Sequence, residues 1–323
     1  MVVVFFGTPR FAVPTLQLLF DSPHTVAGVV TQPDRPRGRG QKVTYAPVKE
    51  LALERSVPVF QPDRLKPPDV AETLSAWRAD VAVVAAYGRI IPEHLLTIPR
   101  LGTVNVHASL LPKYRGAAPV HRAVMNGDRE TGVTIMRVVK ELDAGPMFAK
   151  VTRPIALDET SDVVEDALAA RGAELLLAVL EQMATGTARE EPQDDTQSTY
   201  AHRLTKEEGL IDWSQPALSI HNRVRGLYLW PHAYTFLRGH RLIIRRTKLI
   251  ADLEGPRRTG QGPRRAGEAG AILDLTPEAI HVATGEGGPL AIVDIQPEGR
   301  RAMSAHDFVQ GHRIAAGEMF TPS

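Results

Sequence analysis

The first hundred residues alternate between short unbroken apolar runs and segments with a one-sided apolar stripe. Residues 2–6 are a run of the first kind, and residues 80–86 (DVAVVAA) are apolar after the leading Asp80; both are typical of parallel strands buried on both faces. Residues 11–20 carry the stripe of an amphipathic helix, with Thr8 as its expected N-cap and Pro9 at its first position. This order of strands and helices predicts a doubly wound, Rossmann-like parallel sheet.

The same patterns continue to about residue 183. Predicted strands lie at 25–31, 58–60, 103–107, 132–138 and 147–151, and predicted helices at 47–55, 70–77, 118–125 and 161–183. An α/β domain therefore occupies more than half of the chain.

Composition changes after the last of these helices. Residues 187–198 are polar, acidic and free of large apolar side chains, which predicts a linker. Beyond about residue 201, Gly and Pro turns separate short strands predicted at 241–250, 270–275, 279–284 and 290–297, as in a small β-barrel. The expected organisation is a catalytic domain over 1–187, a linker over 188–204 and a β-barrel domain over 205–323.

Composition excludes several classes of protein. The chain has 323 residues, of which 43% are apolar and 23% charged, so it is neither wholly disordered nor a coiled coil. It has no cysteine, which excludes disulfides, thiolate metal sites and a thiol nucleophile. The apolar run at 1–6 is too short for a membrane span or a signal peptide, so we expect a soluble cytoplasmic protein.

Common catalytic motifs are missing from the sequence. Residues 7–10 lack the GxGxxG spacing of dinucleotide-binding turns, and no Walker A, HExxH or GxSxG sequence occurs. The histidines are scattered without the spacing of metal ligands, so we expect no bound metal.

The strongest local signal is Asn105-Val106-His107, at the end of a predicted central strand. Residues two apart on a strand face the same side, so an amide and an imidazole would lie together at the carboxyl edge, where open α/β sheets bind ligands. The amide can donate to an oxyanion, and the imidazole can move a proton near neutral pH. The alternative is a buried Asn and His whose polar atoms are satisfied by neighbouring backbone.

Asp143 is a second candidate because it lies between two predicted strands and could reach the same edge. The alternative is an ordinary turn aspartate that hydrogen-bonds its own backbone.

Three longer stretches contain these residues: NVHASLLPKYRGAAP at 105–119, TGVTIM at 131–136 and LDAGP at 142–146. Together they resemble the folate-dependent formyltransferases, and within that family the branch that acts on methionyl-tRNA. The likeness extends over nearly the whole chain, from FGTPRFA at 6–12 and AYGRIIP at 86–92 to QPEG at 296–299.

The resemblance implies transfer of a formyl group from 10-formyltetrahydrofolate to the α-amino group of methionyl initiator tRNA, in support of translation initiation. The family's catalytic Asn, His and Asp match Asn105, His107 and Asp143. Its folate contacts match Ser109, Leu110, Leu111, Pro112, Tyr87, Gly88 and Ile90. It also implies an OB-like β-barrel after the catalytic domain, and we expect the protein to act as a monomer.

Two basic regions are the candidates for contact with tRNA phosphates. The first is the loop after the second strand, which resembles the family's mobile basic loop; the candidate residues there are Arg35, Arg37, Arg39 and Lys42. The second is a predicted strand of the barrel with Arg245 and Arg246, followed by a further basic stretch at 255–267. The alternatives are a merely solvated loop and, for the barrel, a domain or dimer surface.

Two other functions stay open at this point. A formyltransferase that acts on an amino sugar nucleotide or on glycinamide ribonucleotide would share Asn105, His107 and the SLLP sequence but would not need the basic loop. A non-catalytic RNA-binding protein on a relict enzyme fold would not need the three polar residues.

Overall fold

We describe a computed structural model of the protein over residues 1–37, 42–250 and 267–323. The chain forms two compact units. The first unit contains Met1–Pro119, Glu130–Pro154 and Val164–His202, and the second contains Val120–Arg129, Ile155–Val163 and Arg203–Ser323. The second unit thus includes two short stretches that the sequence analysis assigned to the catalytic domain.

Strands and helices alternate over the first half of the chain, and strands dominate the second half. The strands are β1 (Val2–Gly7), β2 (Thr25–Val30), β3 (Arg35–Arg37), β4 (Lys42–Thr44), β5 (Val59–Phe60), β6 (Val81–Ala85), β7 (Thr103–His107), β8 (Arg115–Gly116), β9 (Glu130–Arg137), β10 (Met147–Pro154), β11 (Tyr200–Ala201), β12 (Ala233–Leu237), β13 (His240–Leu249), β14 (Ile272–Leu275), β15 (Ile280–Val282), β16 (Leu290–Pro297), β17 (Met303–Ser304) and β18 (Phe320–Thr321). The α-helices are α1 (Val13–Phe20), α2 (Pro47–Glu54), α3 (Pro68–Ala76), α4 (Glu93–Leu96), α5 (Pro119–Asn126), α6 (Ser161–Thr185), α7 (Ala217–Gly226) and α8 (Ala305–His312).

A mixed sheet forms the centre of the first unit, with the strand order β10-β9-β7-β6-β1-β2-β5. Pairing is parallel from β5 to β7, and β9 and β10 run antiparallel to their neighbours. The apolar runs of β1 and β6 are buried almost completely, as expected of strands covered on both faces. The predicted Rossmann-like fold of this part is confirmed.

The start of the first helix differs from the expectation. Thr8 does not cap it; a short 3-10 turn over Arg10–Ala12 comes first, and α1 begins at Val13 without a side-chain cap. The Thr8 hydroxyl instead donates to the carbonyl oxygen of Tyr87, 3.2 Å away. A contact to a residue 79 positions later has therefore replaced the local one.

An antiparallel sheet forms the centre of the second unit, with the described strands in the order β14-β15-β16-β13-β12-β18 and β17 beside β16. The two ends of this sheet also meet, because the Gly270 carbonyl oxygen accepts from the Phe320 backbone N–H at 2.9 Å and Ala271 forms a bridge with Met319. Trp213, Phe308 and Phe320 lie in the apolar core that the curled sheet encloses. The predicted barrel-like domain is confirmed, whereas α7, α8 and β12 were not predicted from the sequence.

The segment predicted as a linker makes regular contacts within the first unit. β11 pairs in parallel with β8, and Glu191 forms an antiparallel bridge with Met147. Arg137 and Glu190 also form an ion pair, with 2.5 Å between Nη2 and Oε1. Of the helices in the described ranges, none combines the length and the apolar composition of a membrane span.

Candidate active site

The end of β7 carries two polar side chains on one face. Asn105 is partly exposed and His107 is 5% exposed, while Val104 and Val106 point into the core. β7 is the last parallel strand before antiparallel β9, so its carboxyl end lies where the strand direction changes. Such an edge is the usual ligand site of an open α/β sheet.

The environment of His107 fixes which ring nitrogen carries the proton. Nε2 lies 2.9 Å from the carbonyl oxygen of Tyr114. A carbonyl can only accept, so in the neutral ring Nε2 is the donor and Nδ1 holds the free electron pair. Nδ1 lies 3.7 Å from Oδ2 of Asp143. The Tyr114 carbonyl therefore sets the tautomer, and Nδ1 is the nitrogen available to take up a proton.

Asp143 reaches this edge from the connection between β9 and β10. Its backbone is in the left-handed region, with φ of 49°. Oδ2 accepts a hydrogen bond of 2.8 Å from the backbone N–H of Gly116. The turn is tight, because a Cβ at Gly145 would lie 2.0 Å from the carbonyl oxygen of Arg137. These constraints hold the carboxylate beside the imidazole at the sheet edge, so Asp143 is not an isolated turn aspartate.

The Asn105 side chain differs from the other two in its surroundings. Within the described part of the chain, no hydrogen bond engages its amide. The alternative of a buried Asn satisfied by backbone therefore does not describe this residue. Its N–H groups are available to a ligand at the sheet edge.

Hydrogen bonds and apolar contacts within the first unit stabilise the SLLP turn that follows β7. The Ser109 hydroxyl donates to the Lys113 carbonyl oxygen at 2.6 Å, and the Thr134 hydroxyl donates to the Ser109 carbonyl oxygen at 2.7 Å. Thr134 Oγ1 also accepts from the Leu111 backbone N–H at 3.1 Å. Leu111 packs in a small apolar cluster with Met136 and Met147. The side chains of Ser109 and Leu111 thus stabilise the turn itself, while Leu110 and Pro112 are each partly exposed.

The other predicted folate contacts follow β6 at the same edge. Tyr87 is buried and packs edge-on against Phe6, with 5.4 Å between ring centroids. Burial raises the pKa of its phenol, which stays a neutral donor, and no described group accepts from it. Gly88 has φ of 80°, which favours glycine, whereas the Ile90 side chain is 82% exposed. Of these three residues, Ile90 offers the side chain most open to a ligand.

The basic loop is only partly within the described residues. β3 and β4 form an antiparallel ribbon in which Arg35 pairs with Thr44 and Arg37 with Lys42. Arg39 lies outside the described residues, as does 255–266 of the basic stretch after β13. The backbone thus brings three of the four predicted loop residues into one short ribbon.

The two barrel arginines differ in their surroundings. The Arg245 guanidinium lies over the Tyr228 ring, 4.4 Å from its centroid, and donates to the Tyr228 carbonyl oxygen at 3.1 Å. The Arg246 side chain is 61% exposed, and Lys248 is exposed as well. A register shift in the pairing of β13 with β16 falls between Ile244 and Thr247, so the side-chain alternation changes phase there.

Sequence reasoning missed the residues that orient the site through their backbone. The Tyr114 carbonyl and the Gly116 N–H bond the imidazole and the carboxylate. Backbone groups have no residue type, so their role could not be predicted from the sequence.

The described residues hold no group of three His, Asp or Glu side chains able to bind a metal ion.

Comparison with known proteins gives a consistent result. The model of the formyl transferase family matches residues 1–180, and that of its C-terminal domain matches residues 203–313. A methionyl-tRNA formyltransferase of Trichlorobacter lovleyi is 48% identical over 320 residues, covering 99% of this chain and 97% of that protein. One of Methylococcus capsulatus is 46% identical over 321 residues, covering 99% and 100%.

A solved structure shares the fold at lower identity. The N-formyltransferase from Helicobacter canadensis, in complex with folinic acid and dTDP-3-aminofucose, aligns with a TM-score of 0.65 and 16% identity, covering 92% of this chain and 100% of that one. With one family model matching residues 1–180 and relatives of near-equal length almost half identical, the chain belongs to the formyl transferase family, as its sequence resemblance predicted.

Proposed function

We propose that this protein transfers a formyl group from 10-formyltetrahydrofolate to the α-amino group of methionyl initiator tRNA and so supports translation initiation. The observation that carries the chemistry is the juxtaposition of the unengaged Asn105 amide with the His107–Asp143 pair at one sheet edge. The choice of acceptor is supported by near-full-length relatives named methionyl-tRNA formyltransferase.

Asn105 is the proposed oxyanion donor. The reaction forms a bond between the amine nitrogen and the formyl carbon and breaks the bond from that carbon to the folate nitrogen. Negative charge develops on the formyl oxygen as the amine attacks. An amide whose N–H groups are not already bonded can donate to that oxygen without first giving up another partner.

His107 and Asp143 are the proposed proton-handling pair. The attacking amine must lose a proton, and the folate nitrogen must gain one when it leaves. Nε2 already carries a proton, which is bonded to the Tyr114 carbonyl oxygen, so Nδ1 is the position that accepts. The Asp143 carboxylate, 3.7 Å away, stabilises the resulting imidazolium.

The folate co-substrate supplies the activated formyl group. Its proposed site combines the SLLP turn with the turn after β6, because both follow neighbouring parallel strands. The exposed Ile90 side chain can contact the aromatic part of such a ligand, whereas Tyr87 is buried and supports the turn from below. The backbone of Ser109 to Pro112 is fixed beforehand, so binding need not order it.

The barrel provides a test of the tRNA contacts. Replacing both Arg246 and Lys248 with alanine should weaken tRNA binding and lessen its dependence on salt, because both are exposed. Arg245→Ala should instead lower the melting temperature, since its guanidinium is bonded to Tyr228 within the unit. Binding isotherms at two salt concentrations and thermal melts separate the effects. Equal tRNA affinity in the double variant and the wild type would remove these two residues from the interface.

The acceptor is tested by a transfer assay with labelled 10-formyltetrahydrofolate. We expect label in methionyl initiator tRNA, and none in uncharged initiator tRNA or in an amino sugar nucleotide. Uncharged tRNA is the matched control, because it presents the same phosphates without the amine. Label in the sugar nucleotide alone would favour the rival formyltransferase, and binding of tRNA without any transfer would favour the non-catalytic RNA-binding protein.

The cytoplasmic location and the monomeric state expected from the sequence belong to this proposal as well. Sedimentation equilibrium at several protein concentrations tests the second, with the mass of one chain, 35.3 kDa, as the expected result.

A further inference from the structure

Residues of the predicted linker, 188–204, form hydrogen bonds with the turn that follows β7. Thr199 accepts twice from this turn: its carbonyl oxygen from the Arg115 backbone N–H at 2.8 Å and its hydroxyl from the Tyr114 backbone N–H at 2.9 Å. The Ala201 carbonyl oxygen accepts from the Ala117 backbone N–H at 2.9 Å. The backbone that contacts His107 and Asp143 is thus fixed by residues about 80 positions further along the chain.

Gln193 is the member of this segment whose side chain reaches the Asp143 loop. Its Nε2 donates to two backbone carbonyl oxygens, those of Asp143 and Gly145, each at 2.8 Å. Its Oε1 accepts from the Arg115 guanidinium, at 3.1 Å from Nε and 2.8 Å from Nη2. Carbonyls only accept and a guanidinium only donates, so the orientation of the amide is unambiguous.

The Arg115 side chain, which donates to Gln193, is itself held in place. The Arg115 side chain is 4% exposed and forms an ion pair with Asp195, with 2.6 Å between Nη2 and Oδ1. Arg115 lies between the two residues whose backbone bonds the site: Tyr114 holds the imidazole, and Gly116 holds the carboxylate. The Gln193 amide therefore connects the turn around Arg115, whose backbone bonds His107 and Asp143, to the loop that contains Asp143.

We propose that Gln193 is a positioning residue that sets the placement of Asp143 against His107. The inference rests on the proposed function of that pair. Asp143 has a left-handed backbone, which is uncommon for a non-glycine residue although Asp tolerates it better than most, and hydrogen bonds from its surroundings help to keep it there. Two of the hydrogen bonds that hold it come from Gln193. Small displacements of a reacting group lower the rate strongly, so loss of these bonds should affect turnover more than binding.

Two substitutions separate positioning from stability. Gln193→Met keeps the length of the side chain and loses every one of these hydrogen bonds. Gln193→Glu keeps an acceptor for Arg115 but can no longer donate to the carbonyl oxygens of Asp143 and Gly145. We expect kcat to fall about tenfold in both variants, with KM for tRNA and for folate within about twofold of the wild type. Arg115 keeps its ion pair with Asp195 in both variants, so both are expected to fold, which thermal melts check.

Gln197→Met is the matched control. Gln197 lies in the same segment and is exposed, and within the described residues its side-chain amide donates to the nearby Asp194 carboxylate alone, at 2.8 Å. We expect it to keep wild-type kcat. If Gln193→Glu restored wild-type kcat, the residue would serve only to pair Arg115, and the positioning role would be wrong.

A readout independent of activity distinguishes this inference from the proposed function. In protein labelled with ¹⁵N-histidine, the ring signals of His107 are identified by their loss in His107→Ala. We expect the Nδ1 signal to move in Gln193→Glu and to stay in place in Gln197→Met. Unchanged His107 signals in Gln193→Glu would overturn the inference even if the enzyme formylates tRNA. A moved signal would support it even if the substrate proved to be another amine.

Discussion

Replacing His107 with alanine is expected to lower turnover by at least about two orders of magnitude, typical of the loss of a group that moves a proton. Nδ1 is the only ring nitrogen free to take up the amine's proton, because Nε2 is committed to the Tyr114 carbonyl oxygen. Folding should survive, since His107 is the last residue of β7 and its backbone pairing with Thr134 does not depend on the ring.

The same loss is expected for Asn105→Ala, through a different step. The developing oxyanion would lose its donor while the proton-handling pair stayed intact. Asn105→Asp is a sharper variant, because it keeps the size of the side chain and replaces the N–H donors with oxygen. Single-turnover rate constants measured beside steady-state kcat, with circular dichroism to confirm the fold, check both residues.

His94→Ala is the control for these substitutions, because His94 is exposed and lies in the short helix α4. It should leave turnover unchanged. A folded His107→Ala or Asn105→Ala variant with near-normal turnover would show that the assigned site is wrong. A double variant should lose less than the product of the two single effects if both residues act on the same transition state.

Neutralising the basic loop is expected to have the second large effect. With Arg35, Arg37, Arg39 and Lys42 all replaced by alanine, kcat/KM for methionyl-tRNA should fall by about two orders of magnitude, because several phosphate contacts would be lost together. Arg39→Ala alone should have a smaller effect in the same direction. The Kd for folate should stay nearly unchanged in both variants, since the proposed folate site lies on the turns after β6 and β7.

Charge-conserving substitutions provide the control for the loop. Replacing its three arginines with lysine keeps the net charge and removes the planar guanidinium. If the loop acts mainly through its charge, this variant should keep most of the wild-type activity. The tRNA Kd of the wild type should also rise with salt more steeply than that of the alanine variant. Equal tRNA kinetics in the wild type and the fourfold alanine variant would mean that the loop is merely solvated. The main internal reason to prefer tRNA over a sugar nucleotide would then be lost.

The positions of the elements could be predicted because they depend on local periodicity. The runs around β1 and β6 are apolar at every position, and only a strand covered on both faces accommodates that pattern. The helix α6 was predicted to start at 161, where the structure has it. Asn105 and His107 could be placed on one face because side chains alternate along a strand.

Phase changes within a strand could not be predicted in the same way. Strict alternation along β13 would place Ile244 and Arg246 on one face, yet Ile244 is buried and Arg246 is exposed. The cause is the irregular pairing with β16 between Ile244 and Thr247, which reverses the faces to which the following side chains point. Whether a given arginine of this strand turns to solvent or to Tyr228 depends on that pairing.

What the sequence by itself determined is the order of the main strands and helices of the first unit, the family and the three polar residues of the candidate site, because apolar periodicity and motif residues are local properties of the chain. Only the tertiary structure decided how His107 and Asp143 are held. The tautomer of His107 follows from the Tyr114 carbonyl, and the placement of Asp143 follows from Gly116 and Gln193. These bonds join backbone atoms or residues as far as 50 positions apart, and backbone atoms have no residue type to read. Their partners are set by packing, and so the polar segment predicted as a linker contacts the backbone of the candidate site.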